Sequence, residues 1–500
     1  MFRVDWPGMG WLENIDQTTV YLVAAGAIVA VALLWDFVVA QQWRHESGSA
    51  YGSASWASLA EMKRMGLFGP EGIIIGRIGK RLLRLKTDKP LLMVAPNRSG
   101  KGVQMTAVLL SHPGSMVVLD PKGESAAMTL RHRRDGLGQE CHVLDPWRIT
   151  GLPPSRFNPL LWLDPTGPDL IEDVALLSSS IIVGSDKAKE EIWLPEAEAA
   201  LAGLCLHVLT SEDPENRHFG LVREMLTRDD KGFPLLLKRM LENRGAHGMV
   251  QRAAQRLMQK SPRERSGVLT TAQSQTHFLD SQRLIDTMSA SDLDIGLLKR
   301  KPMTIYLVLP AGRLGTHGRW LRLMVSLCLE AVTRDRTPAE HSVLFCLDEF
   351  ASAIGRMASV ESAMTLLPGY GIQLYPILQD LSQLEDLYPR RWRSFLANAG
   401  VIQAFGVNDP GTAQYLSAVL GTRTTTVRQR SLGPAGKGGQ NESYSSVGRA
   451  LLMPYEVQQM SLDKQLLLMP GRKPILADKV RYYADPEFKG LFDKNPMYRG

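Results

Sequence analysis

The chain has 500 residues, 44% of them apolar and 22% charged, and its 58 Lys and Arg against 51 Asp and Glu leave a net charge of +7. That balance belongs to a folded protein and excludes wholesale disorder, a collagen-like fibre and a polytopic membrane protein. The length sets two or three domains at roughly 150 residues each, and the mild basicity permits a polyanionic partner without requiring one.

Residues 1–17 carry Arg3 against Asp5, Glu13 and Asp16. Thr18 to Ala40 is a mostly apolar run of 23 residues, broken only by Asp36 near its end. Such a helix crosses ~30 Å of hydrocarbon with some tilt, and a charge close to the end costs far less than one at the midplane. Tyr21, Trp35 and Trp43 suit the two interfacial belts. With no basic start and no small-residue cleavage site, the run reads as an uncleaved transmembrane anchor, in preference to a signal peptide or a buried helix. Arg44, Lys63 and Arg64 behind it place residues 44–500 in the cytoplasm. Residues 41–70, rich in Gly, Ser and Ala, read as a linker. Cys141, Cys205, Cys328 and Cys346 lie far apart with no CxxC pair, which fits a reducing compartment and neither a zinc site nor a disulfide framework.

Pro90 to Ala95 is a short apolar run of buried-strand type. Pro96-Asn97-Arg98-Ser99-Gly100-Lys101-Gly102 follows, and from Val103 the pattern becomes helical. Strand, glycine turn with Lys, then helix is the phosphate-loop arrangement: backbone N–H groups cradle phosphate oxygens and Lys101 reaches the β/γ oxygens. Asn97 to Val103 are therefore the nucleotide-binding candidates. The match to GxxxxGK[ST] is incomplete, because Ala95 replaces the first Gly and Gly102 the Ser/Thr that normally contacts Mg²⁺. Strands ending in Asp120-Pro121-Lys122-Gly123-Glu124 and in Asp145-Pro146-Trp147 add polar residues where an open parallel sheet builds its ligand crevice. Lys122 and Glu124 have a plain surface turn as their alternative.

Residues 165–292 contain few strand-like runs and many helical ones, and read as an all-α domain. Within it Arg252, Arg256 and Lys260 recur every fourth residue and form one stripe on a helix. The stripe is a candidate contact for nucleic-acid phosphates or an acidic substrate, set against a merely solvated face. His207 and His317 have no ligand-spaced partners and receive no metal. Beyond the strand Met303–Leu309, residues 343–350 read VLFCLDEF, an apolar strand ending in Asp348-Glu349. This is the Walker B pattern, with Asp348 on the Mg²⁺ shell and Glu349 polarising the attacking water. The strand Leu374–Leu378 ends in Gln379, placed to sense the γ-phosphate or simply to cap the strand. Arg428 to Ser446, nearly free of apolar residues, reads as a mobile loop, and its Arg428, Arg430 and Lys437 could line a ring's channel or face solvent.

Taken in order, these fragments resemble the type IV secretion system coupling proteins, membrane-anchored ring ATPases of conjugation and effector secretion. The fragments are GSASWA at 52–57 with GIIIGR at 72–77, APNRSGKG at 95–102, VVLDPKGE at 117–124, FNPL at 157–160, LDEF at 347–350, GYGIQLYPILQDLSQLE at 369–385, Asn408-Asp409 and LLMPGRKPILADKVRYY at 467–483. The resemblance implies an α/β fold: a RecA-like P-loop NTPase domain (71–164 and 293–500) with an inserted all-α domain (165–292) and an N-terminal transmembrane helix in the bacterial inner membrane. It implies ATP and Mg²⁺ as cofactors. By position it implies Lys101 on phosphate, Asp348 and Glu349 as the Walker B acids, and Gln379 as the later sensor. The implied partners are the secretion channel subunits, a relaxase–DNA complex or effector proteins, single- or double-stranded DNA, the membrane, and further copies in a homo-hexamer. Three departures stand out. Only one membrane helix is visible where the family usually has two. Leu367-Pro368-Gly369-Tyr370 stands where some relatives carry a basic residue, leaving Arg356 as a candidate for the arginine supplied between subunits. Thr106 and Asp348 both remain candidates for the Mg²⁺ contact missing at Gly102. The expected function is an ATP-driven coupling protein; the alternatives are a low-turnover docking scaffold and a chromosome-type DNA translocase.

Overall fold

Uninterrupted apolar runs become the centre of one sheet. The computed structural model describes residues 26–27, 30–31, 34–35, 49–184, 192–432 and 440–497. The strands of the larger unit are β1 (Ile73–Ile78), β2 (Arg81–Leu85), β3 (Leu91–Val94), β4 (Met116–Asp120), β5 (Glu140–Leu144), β6 (Met303–Val308), β7 (Val343–Leu347), β8 (Ile372–Leu378) and β9 (Val401–Ala404). The smaller unit holds β10 (Thr422–Leu432) and β11 (Gln440–Ala450); β12 (Lys464–Leu468) and β13 (Ile475–Asp478) return to the larger. The sheet order is β2-β1-β13-β12-β9-β3-β8-β7-β4-β6-β5. From β9 to β5 every pair is parallel. Every residue of β3, β4, β6, β7, β8 and β9 is buried, as parallel strands covered on both faces must be.

The open parallel sheet expected from sequence thus gains an antiparallel flank. β1–β2, β1–β13, β12–β13 and β12–β9 all run antiparallel. The connections give the reason. Gly79, at φ +56°, makes a turn of two residues between β1 and β2, too short for the crossover a parallel pair needs.

Between 165 and 292 the described residues form helices and no strand, from Leu170–Ile181 to Gln282–Thr287. Their apolar faces surround the helix Leu194–Ser211, whose Ala197, Leu201, Leu204, Cys205 and Val208 are buried. They are fastened to the long helix Leu314–Arg334: Arg334 pairs with Asp173, and Arg319 donates to Gln275 Oε1 at 2.8 Å. Contacts accordingly divide the chain elsewhere, into residues 56–413 with 458–500 and residues up to 55 with 414–457.

Two expectations are corrected. Residues 57–70 are folded chain rather than linker. The Ala57 N–H donates to Pro474 O at 2.9 Å, Ser58 and Glu61 close a capping box on the helix Leu59–Arg64, and Met62 and Leu67 are buried. In the smaller unit, the expected loop at 428–446 is largely a hairpin, with β10 and β11 paired from Thr422↔Ala450 to Leu432↔Gln440. Thr and Ser satisfy a strand's backbone without an apolar face, so the period-two signal is hidden. Arg428 is exposed opposite Tyr444, Arg430 lies on the same strand, and Lys437 lies outside the described residues. The span expected at 18–40 falls almost wholly outside them too; among the described residues no helix is long and apolar enough to cross a membrane.

Candidate nucleotide site

Four strand ends meet on one edge in the order β3, β8, β7, β4. Together they deliver five polar groups: Lys101 beyond β3, Gln379 beyond β8, Asp348 and Glu349 beyond β7, and Asp120 closing β4. After β3 the Ala95 N–H still bonds Leu378 O at 2.8 Å, and then the chain turns. Arg98 (φ 61°) and Gly100 (φ 98°) are left-handed, and Ser99 Oγ donates to Pro96 O at 2.6 Å. The helix Lys101–Ser111 begins with no side chain capping it. Its leading N–H groups are left for an anion, with the helix dipole behind them. Asn97, Arg98 and Gly102 are exposed around the turn, while Val103 is half-buried.

The Lys101 side chain is only 9% exposed. Its Nζ contacts a Glu349 carboxylate oxygen and stands 3.7 Å from Asp348 Oδ1. Gln379 Nε2 donates to the other Glu349 oxygen at 3.0 Å. Glu349 itself is left-handed at φ 51°, ψ 36°. This is an uncommon conformation for a residue with a side chain, costing about 1–2 kcal/mol, and such strain clusters at functional sites. Thr106 does not face the site. Its hydroxyl donates to Gly102 O at 2.8 Å, one turn back in the helix, so of the two candidates for the missing metal contact only Asp348 borders the crevice.

The crevice is short of positive charge. Burial pushes the Asp348 carboxyl up and Glu349 adds to that, while Lys101 and Lys122 pull it down. Burial pushes Asp120 up to about 7, with Asp348 and Glu124 adding to it and the Ala126 N–H opposing. Asp348 and Glu349 thus share Lys101, with Lys122 acting on Asp348 at longer range and Asp120 adding a further carboxyl beside them. A single acid at the strand end, Asp348, fits a divalent cation that phosphate oxygens and water would complete. Among the described residues, no cluster of three or more His, Cys, Asp or Glu would hold a metal unaided.

The remaining candidates stand apart. Arg256 and Lys260 both pair with Glu196, at 2.6 and 2.9 Å, and hold its carboxyl down at about 2. Arg252 Nε turns to Met249 Sδ at 3.3 Å. Two of the three stripe cations are therefore engaged within the fold, which favours the solvated-face reading. Arg356 is exposed and lines a cleft of about 570 Å³ with Glu361, Tyr388, Arg390 and Arg391. Glu124 accepts from Asn495 Nδ2 at 3.0 Å.

A family model described as type IV secretory system conjugative DNA transfer matches residues 55–497. The chain belongs to that family. It is 28% identical to Protein VirD4 of Agrobacterium fabrum over 464 residues, 89% of this chain and 67% of that protein. It is 26% identical to the conjugal transfer protein TraG of Escherichia coli over 545 residues, 99% of this chain and 84% of that one. Among solved structures, the coupling protein TrwB in complex with ADPNP superposes with a TM-score of 0.64 at 16% identity, covering 86% of this chain and 93% of that one. TrwB with ADP and Mg²⁺ gives 0.62. The likeness establishes the coupling-protein fold, an α/β P-loop NTPase with a mixed sheet.

Within this conjugative-transfer fold, sequence reasoning passed over Asp120. The turn after β4 is legible in the sequence, but its charged residues are the exposed Lys122 and the half-buried Glu124, while Asp120 closes an otherwise apolar strand. Asp120 carries a stability prediction. A carboxyl raised to about 7 in the fold and near 3.8 unfolded keeps its proton only in the native state between those values. Stability therefore falls as pH rises through that window, and the penalty is complete above it. Asp120→Asn keeps an acceptor for Ala126 and removes the ion. Its thermal midpoint should exceed wild type at pH 8, with the gain vanishing near pH 4, as scanning calorimetry would read. An equal gain at both pH values would refute a buried ion as the cause.

Proposed function

We propose that this chain is the coupling ATPase of a type IV secretion system, anchored in the bacterial inner membrane by residues 18–40. It recruits relaxase–DNA or protein effectors to the channel and drives their transfer by ATP hydrolysis. The observation that carries the reading is the chain of contacts Lys101–Glu349–Gln379 across β3, β7 and β8, beside a helix with an uncapped N-terminus. Phosphoryl transfer asks the protein mainly for positioning and charge.

The turn Asn97–Val103 receives the phosphates. Lys101 leaves Glu349 for phosphate oxygen, and the freed carboxylate orients and deprotonates the attacking water. Gln379 holds Glu349 from the other side and meets the γ-phosphate. Asp348 would hold Mg²⁺ through water; when bound, the ion neutralises charge on the β and γ oxygens. Arg356 is the candidate supplied across a subunit boundary, which a homo-hexamer provides.

The test is ATP turnover by the full-length chain in detergent, alone and with single- or double-stranded DNA. Turnover that rises several-fold with DNA supports a motor on nucleoprotein. Turnover indifferent to DNA narrows the cargo to protein. No turnover under any condition would sink the motor and leave a docking scaffold.

A further inference from the structure

Lys479 follows β13 in the segment Ala477-Asp478-Lys479-Val480, and its N–H is tied to Asp463 O at 2.8 Å. Its side chain reaches the phosphate turn from the C-terminal part of the chain. The ammonium donates to Ser99 O at 2.5 Å and lies 4.9 Å from the centre of the Phe405 ring. It also stands 3.5 Å from where a Cβ on Gly100 would be. The side chain is therefore held at both the cation and the turn.

Ser99 is fixed from two other sides. Its hydroxyl bonds Pro96 O, and Gly406 packs so close that a Cβ there would come within 2.8 Å of Ser99 Cβ. Gly406 also sits at φ +63°, so a larger residue would be strained as well as crowded. The Ser99 carbonyl and the Gly100 N–H belong to one planar trans peptide and point in opposite directions. Pinning the carbonyl therefore fixes where the N–H aims. Among the described residues that N–H donates to no protein acceptor.

We propose that Lys479 is a positioning residue for the nucleotide phosphates: by holding the Ser99 carbonyl it locks the Ser99–Gly100 peptide with the Gly100 N–H turned to the anion. The ammonium acts through the turn, at the Ser99 carbonyl, whereas Lys101 stands against Glu349 and Asp348. Nucleotide occupancy is thereby linked to the antiparallel pair β12–β13. The inference rests on the nucleotide reading of the site and adds to it a residue remote in sequence.

The experiment uses the full-length chain in detergent and ADPNP as the probe, with affinity read by calorimetry. Lys479→Met should weaken ADPNP binding about tenfold or more, the scale of one hydrogen bond from a charged donor. Lys479→Arg, which keeps a cationic donor, should recover most of it, and Lys489→Met controls for charge lost from the same segment. In turnover, KM for ATP should rise with the affinity loss while kcat stays within about threefold, since the chemical groups are untouched. Amide exchange of residues 95–104 without nucleotide should be faster in Lys479→Met. If that variant does not fold, Lys479→Gln takes its place. Affinity within twofold of wild type, or an Arg variant as weak as the Met variant, overturns the proposal. Failure of the wild type itself to bind ADPNP is a different result, and strikes the nucleotide reading instead.

Discussion

ATP turnover by Lys101→Ala should fall at least about a hundredfold, the loss seen when one preorganised charge donor is removed from a transition state. Among the described residues no other cation is within contact of the two Walker B carboxylates. Lys122 acts on Asp348 only at longer range, and Lys479 is engaged with the Ser99 carbonyl. Among the described residues no other cation therefore takes the place of Lys101 beside those carboxylates. The variant should lose ADPNP affinity along with turnover, because Lys101 meets phosphate in the ground state too. A coupled-enzyme assay with more than a tenth of the wild-type rate remaining would count against its role.

The same substitution has a signature without nucleotide. Lys101 holds the Asp348 carboxyl down against burial, so its removal lets that carboxyl rise further. An acid raised in the fold loses stability as pH climbs from its unfolded value through its folded one. The deficit in thermal midpoint relative to wild type should therefore be greatest at pH 8 and shrink toward pH 4. A deficit that grows on acidification would mean that Lys101 does not offset buried carboxylates.

The centre of the fold was legible for a physical reason. β3, β4, β6, β7 and β8 are buried on both faces, so their sequences are largely apolar runs, and β4, β7 and β8 stop at polar residues on the crevice. Asp348, Glu349 and Gln379 could be read from those stops, and Lys101 from the glycine turn that follows β3. The flank was less legible. β12 and β13 pair antiparallel with each other, a relation that depends on Gly471 and the short turn around it rather than on composition. The capping box Ser58-Leu59-Ala60-Glu61 was present in the sequence but sat in a stretch whose Gly and Ser content suggested a linker. The hairpin β10–β11 has no apolar alternation to read. Lys479 belongs to a fragment noticed for resemblance alone, since no local pattern tells where a lysine remote in sequence will place its ammonium. The stripe Arg252, Arg256, Lys260 shows the converse: helical spacing was visible, but Glu196, on another helix, was not.

Glu349→Gln should part binding from turnover, with kcat falling by roughly 10²–10⁴, the range for loss of a general base. ADPNP affinity should be equal to wild type or better. In the nucleotide-free chain Glu349 occupies the Lys101 ammonium, so an incoming phosphate competes with an ion pair. The amide cannot hold Lys101 as strongly, and it still offers an oxygen to Gln379 Nε2. One carboxylate also leaves a group that contains Asp348 and lies near Asp120, so the variant should melt no lower than wild type at pH 8. This profile differs from that of Lys101→Ala, where affinity and turnover fall together. It also distinguishes a motor from a scaffold. A scaffold uses the site for occupancy alone, and Glu349→Gln would then leave its slow turnover unchanged. Collapse of turnover with affinity retained requires Glu349 to act after the nucleotide has bound, on the water that attacks it.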